Sequence, residues 1–424
     1  MKVTIVGTGY VGLVSGACFA HVGHTITCVD IDEKKVAMIN HAKAPIFEEG
    51  LEMLLQKHTG KKLNATTNLS EALKDSEFVF ICVGTPSRED GSTDLTYIEN
   101  AAKDIGKALK LDKKYRVVVV KSTVPPKTSE KVLEIIEKES GKKAGKDFGI
   151  AMNPEFLREG NAIYDFMHPD RIVIGAFDEK SFDTIKQLYT SFECPVIHTN
   201  LRTAEMIKYA SNALLATKIS FSNEIGNVCK ALDIDVYDVM KSVGLDKRIG
   251  PSFLNAGLGY GGSCFKKDVQ SLIHVGKDAG IEMKILNAVE NTNEKQPLKI
   301  VELAKKKLGS LQGKKITILG LAFKPNSDDM REAPSIKVID TLSKEGAIIK
   351  AYDPIAMEQA KKFITTKIEY ASSLASALEF SNVVFILTEW DQFKNESLYK
   401  DKIVFDGRKT LQKRSSENYE GVCW

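Results

Sequence analysis

A chain of 424 residues exceeds one ordinary hydrophobic core, so two or three domains are expected. Lys plus Arg number 59 against 56 for Asp plus Glu, and a net charge of +3 gives no bulk attraction to nucleic acid or to an anionic membrane. The apolar runs Phe78–Val83 and Val117–Val120 fall far short of the roughly 18 residues of a spanning helix, so no membrane partner is expected and anions must be met by local sites.

Read from its start, the chain opens with a short apolar strand, Val3–Gly7. A Gly-rich turn follows, then the helical pattern Val11–Val22 and a second strand, Thr25–Asp30. No basic region leads into a long apolar stretch, so this segment reads as a strand entering a turn and not as an export signal. Further apolar runs at Phe78–Val83, Val117–Lys121 and Gly149–Met152 alternate with helical patterns such as Tyr97–Leu109 and Ser129–Ser140. Parallel strands need crossover helices, so residues 1–200 read as a doubly wound domain. Residues 201–300 change character. Leu201–Leu232 lacks Pro, contains one Gly, and repeats Ala204, Ile207, Ala210, Ser211, Leu214 and Leu215 at helical spacing. Such a helix suits a spacer that carries dimer contacts. Val236–Val243 is helical, Gly250–Gly262 is Gly-rich, and helical patterns run to about Ala304.

Residues 301–424 restart the alternation. Lys315–Leu319, Ile348–Tyr352, Val383–Leu387 and Ile403–Asp406 read as strands, and Ser335–Leu342 and Ser372–Leu378 as helices. The expected fold class is α/β: two Rossmann-like doubly wound domains joined by a long central helix and a helical linker domain. The cysteines at 18, 28, 82, 194, 229, 264 and 423 are scattered and odd in number. They show no metal-ligand spacing, which points to a reducing, cytoplasmic compartment and no metal. Six of them read as buried thiols, Cys264 being the exception.

Gly7-Thr8-Gly9-Tyr10-Val11-Gly12 fits the dinucleotide fingerprint and stands between a strand and a helix. The three glycines permit the turn, the approach of a pyrophosphate and close helix–strand packing, and the helix N-terminus offers free N–H groups to the phosphates. Asp30, at the end of the second strand, would accept from the ribose hydroxyls and repel a 2′-phosphate, which favours NAD over NADP. Gly84-Thr85-Pro86 and Ser122-Thr123-Val124-Pro125-Pro126 follow two further strands, where ligands bind in open α/β sheets, although an ordinary loop can look the same.

Gly259-Tyr260-Gly261-Gly262-Ser263-Cys264-Phe265-Lys266-Lys267-Asp268 is the most informative stretch. Its glycines let backbone pass close to a ligand. The pattern turns helical at Phe265, which sets Cys264 near a helix N-terminus, where a thiolate nucleophile is favoured. Asp268, four residues on, shares that helix face. Lys208 and Asn212 are also four apart, and a cation with an amide donor can stabilise an oxyanion; taken alone, the pair also reads as an exposed lysine beside a polar neighbour. Glu155, in Asn153–Gly160, is a strand-end carboxylate suited to general-base work if partly buried.

Together these motifs resemble the UDP-glucose/GDP-mannose dehydrogenase family over nearly the whole chain. The resemblance rests on GTGYVG, GTP, STVPP, NPEFLREG, PDRIVIG at Pro169–Gly175, KYASNA at Lys208–Ala213, GYGGSCFKKD, and LAFKPNSDDMREAPS at Leu321–Ser335. It implies an NAD domain, a central helical domain that dimerises, and a C-terminal nucleotide-sugar domain. Cys264 then resembles the nucleophile. Lys208 and Asn212 resemble the groups that hold the sugar O6, Asp268 and Thr123 the partners of a water, and Glu155 a carboxylate assisting thioester hydrolysis. Gly7, Gly9, Tyr10, Val11, Gly12, Asp30, Lys35, Gly84, Thr85, Pro86, Ser122, Thr123, Glu159, Lys267 and Arg331 match cofactor positions. Glu155, Phe156, Leu157, Arg158, Glu159, Lys208, Asn212, Arg248, Phe253, Asn255, Gly261, Phe323, Lys324 and Arg408 match substrate positions. His168 stands where many relatives carry Arg. NPEFLREG and GYGGSCFKKD fit the UDP-glucose branch better than the GDP-mannose or UDP-N-acetylmannosamine branches. A two-electron 3-hydroxyacid-type dehydrogenase would leave Cys264 without a purpose. A nucleotide-binding regulatory module would leave Lys208, Asn212, Cys264 and Asp268 without one.

Overall fold

A computed structural model describes residues 1–110 and 112–424. The chain divides into two compact units, Met1–Ser211 and Asn212–Trp424, and the division falls inside one 31-residue helix, Leu201–Ala231, here the central helix. The expected α/β architecture holds, with an eight-stranded and a six-stranded sheet.

The first unit contains β1 (Lys2–Val6), β2 (Thr25–Val29), β3 (Leu63–Thr66), β4 (Phe78–Ile81), β5 (Val117–Val120), β6 (Gly149–Met152), β7 (Ile172–Ala176) and β8 (Val196–Thr199). Their order is β3-β2-β1-β4-β5-β6-β7-β8, and every neighbouring pair is parallel except β6–β7. Strands β4, β5 and β6 are buried throughout, which is why they read as unbroken apolar runs instead of alternating ones. Strand order reverses between β1 and β4, so the loops after β1, β4, β5 and β6 share the edge where such sheets bind ligands.

Strands β3, β7 and β8 were not among those expected. The edge strands β3 and β8, Leu-Asn-Ala-Thr and Val-Ile-His-Thr, carry too little apolar pattern to stand out. The apolar run of β7 lies within PDRIVIG, but its antiparallel pairing with β6 breaks the βαβ rhythm of the other strands.

The second unit contains β9 (Lys315–Leu319), β10 (Ile348–Tyr352), β11 (Glu369–Tyr370), β12 (Val383–Ile386), β13 (Ile403–Asp406) and β14 (Tyr419–Gly421), in the order β11-β10-β9-β12-β13-β14, all parallel. Ile316, Ile318, Val384, Phe385 and Phe405 form its centre. The helix expected at Ser372–Leu378 runs from Leu374 to Phe380, because the Ser373 hydroxyl oxygen accepts from the Ser376 N–H and so caps the start. One cysteine expectation needs correcting. Cys194 is only half-buried, at a chain segment between helix and edge strand, whereas Cys18, Cys28, Cys82, Cys229 and Cys423 are buried.

Candidate active site

The turn after β1 has the shape of a pyrophosphate cradle. Gly7 adopts φ +97°, and a Cβ there would stand 2.7 Å from the Cys82 carbonyl oxygen, so no other residue fits. Gly9, by contrast, faces open space, with nothing within 4 Å of an added Cβ. It precedes the helix Tyr10–His21, whose first N–H groups receive no side-chain cap. Open space beside uncapped amides fits a diphosphate.

Asp30 closes this cradle. Its Oδ2 accepts from the Thr8 N–H at 2.7 Å and the Thr8 hydroxyl at 2.5 Å, and its Oδ1 accepts from the Asp32 N–H at 3.0 Å. Burial pushes its carboxyl up, but these bonds and the Lys35 charge outweigh that and hold it below the usual range. Oδ2 is thus fully engaged, whereas Oδ1 keeps a second lone pair, which suits a ribose hydroxyl. The Tyr10 hydroxyl donates to Glu48 and accepts from the Gly160 N–H at 2.8 Å. The Ser122 hydroxyl donates to the Val83 carbonyl at 2.6 Å and so joins the loops after β4 and β5. Gly84 and Pro86 are exposed, and Val11, Thr85, Thr123 and Glu159 half-buried.

Within the same unit, the simple reading of Lys208 as a surface lysine fails. Its Nζ lies 2.9 Å from Glu155 Oε1, and both side chains are buried, 4% and 6% exposed. The second Glu155 oxygen accepts from the Leu157 N–H at 2.6 Å. Burial pushes the Glu155 carboxyl up, but Lys208, the Leu157 amide and Lys121 overcome it and hold the carboxyl below its ordinary value. A depressed carboxylate with both oxygens engaged is a weak proton acceptor, so Glu155 is better suited to fixing the Lys208 ammonium than to acting as a free general base. Phe156 lies between cations, with the Arg171 guanidinium 4.1 Å and Lys208 Nζ 5.5 Å from its ring. Leu157 is half-buried, and Arg158 forks onto Asp165 at the surface. His168 stacks on Tyr164 with ring centroids 4.5 Å apart.

Two residues here escaped the sequence reading. Lys121, just before the Ser122 loop, is buried and donates to Asn153 Oδ1 at 3.0 Å; burial pulls its ammonium down to about 8. Glu48 is also buried and accepts from the Gly160 N–H at 2.6 Å and the Ala162 N–H at 2.7 Å, besides the Tyr10 hydroxyl. Asn153 stood inside a noted motif, but nothing local marks Glu48, which works through residues more than a hundred positions away.

In the second unit, Cys264 occupies the N-cap position of the helix Phe265–Asp278 and is half-buried, with the Ser263 hydroxyl oxygen 3.6 Å from its sulfur. The Asp268 N–H donates to the Cys264 carbonyl at 2.9 Å, closing the first turn. Buried Asp268 accepts from Asn212 Nδ2 at 2.6 Å and pairs with Lys267. One N–H of the Asn212 amide is therefore directed at Asp268, which fixes the orientation of the amide.

The glycines before Cys264 do more than clear a path for a ligand. A Cβ on Gly261 would meet the Glu332 carbonyl at 2.5 Å, and Gly262, at φ +78°, lies against the Phe323 ring. The Gly262 N–H donates to the Arg331 carbonyl at 2.8 Å, and Lys266 pairs with Glu332 at 2.6 Å. The Leu321–Ser335 segment thus clamps the cysteine loop. The Arg408 guanidinium donates to the Gly259 carbonyl at 2.9 Å and the Phe323 carbonyl at 3.3 Å. Lys324 Nζ lies 5.2 Å from the Phe323 ring, and Phe253 meets Phe265 edge-on. Arg331 forks onto Asp329, and Arg248 forks onto Asp246 at the surface, where Asn255 is also exposed. Among the described residues, no group of three or more His, Cys, Asp or Glu is arranged to hold a metal.

Three family models match the chain. They are the NAD binding domain of the UDP-glucose/GDP-mannose dehydrogenase family at residues 1–193, its central domain at 202–295, and its UDP binding domain at 317–413. The chain belongs to the UDP-glucose/GDP-mannose dehydrogenase family. As a member it is an NAD-dependent oxidoreductase of nucleotide sugars. It is 45% identical to UDP-glucose 6-dehydrogenase TuaD of Bacillus subtilis (strain 168), over 96% of this chain and 89% of that one. Its fold matches a UDP-glucose dehydrogenase from the hyperthermophilic archaeon Pyrobaculum islandicum with a TM-score of 0.95 at 42% identity, covering 100% of this chain and 97% of that one. It matches a UDP-D-ManNAc dehydrogenase from Pyrococcus horikoshii with a TM-score of 0.87 at 27% identity, covering 100% and 99%. Against this family frame, the fingerprint turn falls in the NAD domain, Cys264 in the central domain and Arg408 in the UDP domain.

Proposed function

We propose that this enzyme is a UDP-glucose 6-dehydrogenase, which oxidises the C6 alcohol of UDP-glucose to the carboxylate of UDP-glucuronate in two steps through a thioester on Cys264. The substrate is inferred from the relatives: identity to UDP-glucose dehydrogenases is 40–45%, against 35% for a GDP-mannose dehydrogenase and 27% for the UDP-D-ManNAc enzyme. The observation that carries the two-step chemistry is Cys264 itself, half-buried at a helix start within a clamped glycine loop.

When bound, NAD⁺ accepts one hydride from C6 in each of two rounds. The cradle from Gly7 to Gly12 holds its diphosphate and Asp30 its ribose. As the first hydride leaves C6, the O6 proton passes to water and an aldehyde results. The Cys264 sulfur then bonds to C6, and the aldehyde oxygen becomes the oxyanion of a thiohemiacetal. Lys208 offers this oxygen a fixed ammonium, and Asn212, one turn along the central helix, offers an amide N–H. Addition is needed because an unhydrated aldehyde has no C–H whose departure as hydride yields an acid. Loss of the second hydride leaves the thioester. Water, held in this reading by Thr123 and Asp268, attacks C6 as its two protons pass to solvent, the C–S bond breaks, and the sulfur returns as thiolate. Glu155 acts by holding the Lys208 ammonium in place. Each UDP-glucose is therefore expected to yield two NADH and one UDP-glucuronate. A yield of one NADH with an aldehyde or ketone product contradicts the covalent route. NADH from a GDP-sugar but not from UDP-glucose contradicts the substrate.

In this reading, residues 1–200 bind NAD, 201–300 carry the cysteine loop and the dimer contacts, and 301–424 bind the nucleotide. Dimerisation is supported by the exposed apolar stripe Met206, Leu214, Phe221 and Val228 on the central helix, spaced at whole turns, with Leu214 63% exposed. Sedimentation at micromolar concentration should give a dimer, and Leu214→Glu a monomer; a wild-type monomer at that concentration contradicts this interface. No helix among the described residues is long and apolar enough to cross a membrane. A cytoplasmic location is the reading of the scattered cysteines.

A further inference from the structure

One buried carboxylate in the first unit plays no part in that chemistry. Glu205 projects from the central helix and is 0% exposed. Its Oε2 accepts from the Lys127 N–H at 2.8 Å, and its Oε1 from the Ser129 N–H at 2.7 Å. These amides begin the helix Thr128–Ser140. That helix has no side-chain cap of its own, and its N-cap residue, Lys127, sits at φ +80°. A helix start ordinarily takes its cap from the residue beside it. Here the cap comes from 78 positions away in the chain.

The place of this cap gives it meaning. Immediately before Lys127 runs the Ser122–Pro126 loop, which carries Thr123. The far end of that loop is tied down by the Ser122 hydroxyl on the Val83 carbonyl. Its near end is held by the Thr128 hydroxyl on the Pro125 carbonyl at 2.6 Å and by Glu205. Glu205 precedes Lys208 by three residues, less than one helical turn. The same carboxylate therefore joins the Thr123 loop to the turn of helix that bears Lys208.

We propose that Glu205 is a positioning residue, which sets the Thr123 loop against Lys208 by capping the Thr128–Ser140 helix from the central helix. The inference rests on the reading of Thr123 as a holder of the hydrolytic water and of Lys208 as the cation that meets the sugar oxygen. Both Glu205 oxygens must accept hydrogen bonds, so the clamp needs the ionised carboxylate. Burial pushes this carboxyl up to about 7, although Ser129 and the Lys127 amide oppose the rise. The charges that act on it are Glu130 in the first turn of the capped helix, which adds to the rise, and Arg202 on the central helix, which pairs with Glu130 at 2.7 Å; Lys127 adjoins it through its backbone N–H, and Lys208 follows it by three residues on the same helix. Protonation removes one acceptor and should loosen the loop as pH falls through about 7.

Glu205→Gln tests the clamp, because the amide keeps the shape and only one acceptor. At pH 8 its kcat should fall about tenfold, with KM for UDP-glucose changed less than threefold. The wild-type fall in kcat on the acid side near pH 7 should flatten. The amides of Lys127 and Ser129 should exchange hydrogen faster. A raised carboxyl means that ionisation is costly to the folded state, a contribution lost as pH rises through the folded value. The neutral amide should therefore hold or raise the melting temperature at pH 8 while lowering kcat, a split that a merely structural cap cannot produce.

Asp178→Ala is the structural control, since Asp178 caps the separate helix Glu179–Lys186 through the Ser181 N–H; it should lower the melting temperature and leave kcat alone. If Glu205→Gln does not fold, Glu205→Asp retains the charge with a shorter reach and should show the same kcat loss. Thr123→Ala separates two failures. Full activity there overturns the role of Thr123. An impaired Thr123→Ala beside a Glu205→Gln of wild-type kcat and wild-type pH profile overturns the clamp.

Discussion

Cys264→Ser should lose steady-state turnover by at least roughly 10³-fold while still binding UDP-glucose. Serine is nearly isosteric, so the clamped loop of Gly261, Gly262 and Phe323 should accept it without rearrangement. Its hydroxyl is a far weaker nucleophile than a thiol unless a base stands beside it. If the oxygen adds at all, the second oxidation leaves an ester, which hydrolyses more slowly than a thioester. The variant should then accumulate a sugar nucleotide on the intact protein, visible by mass. If the oxygen does not add, the variant should stall after a single NADH. Substrate affinity should change little, because one atom is exchanged and the nucleotide is held elsewhere. Cys194→Ser is the matching control, as the other half-buried thiol. It should keep its activity, and an equal loss there, or near-normal turnover in Cys264→Ser, ends the assignment.

Lys208→Met should both destabilise the protein and slow it. The substitution keeps most of the side-chain volume but leaves Glu155 buried without its cation. Breaking a buried ion pair in this way typically costs about 3–5 kcal/mol. The pH dependence carries the sign. In the wild type the Glu155 carboxyl is held below its ordinary value, so its contribution is present above that value and is lost as pH falls through the lower folded one. Without Lys208, burial dominates and the carboxyl rises, so the variant loses stability as pH increases. Urea midpoints measured from pH 4 to pH 8 should therefore diverge, with the wild type gaining on the variant. Loss of one oxyanion-stabilising group should separately lower kcat by about 10²–10³-fold. Parallel midpoints across that range would show that the pair does not hold Lys208. Unchanged kcat would remove it from the reaction.

These two residues also divide what was legible in the sequence from what was not. Cys264 declared itself through its neighbours: glycines on one side, a helical pattern with Lys266, Lys267 and Asp268 on the other, all within ten positions. Its N-cap position follows from that local pattern. Lys208 gave no such sign, since a lysine on an apolar-striped helix is ordinarily solvated. Only the approach of Glu155 across the fold reveals it as a buried cation, and the same approach makes Glu155 the partner of an ammonium.

The fold divides along the same line. By itself the sequence determined the doubly wound alternation, the fingerprint turn with Asp30, the long central helix and the cysteine loop. Hydrophobic period, turn glycines and caps act over a few residues and are written in order along the chain. Tertiary structure decided the edge strands β3 and β8 and the antiparallel β7, because their place depends on which neighbour remains to pair with. It also decided that Gly261 and Gly262 are required by Phe323 and Glu332, and that Glu48 and Glu205 cap amides more than seventy positions away. A buried carboxylate is stable only where donors converge on it, and donors from distant segments converge only once the sheets and helices have packed.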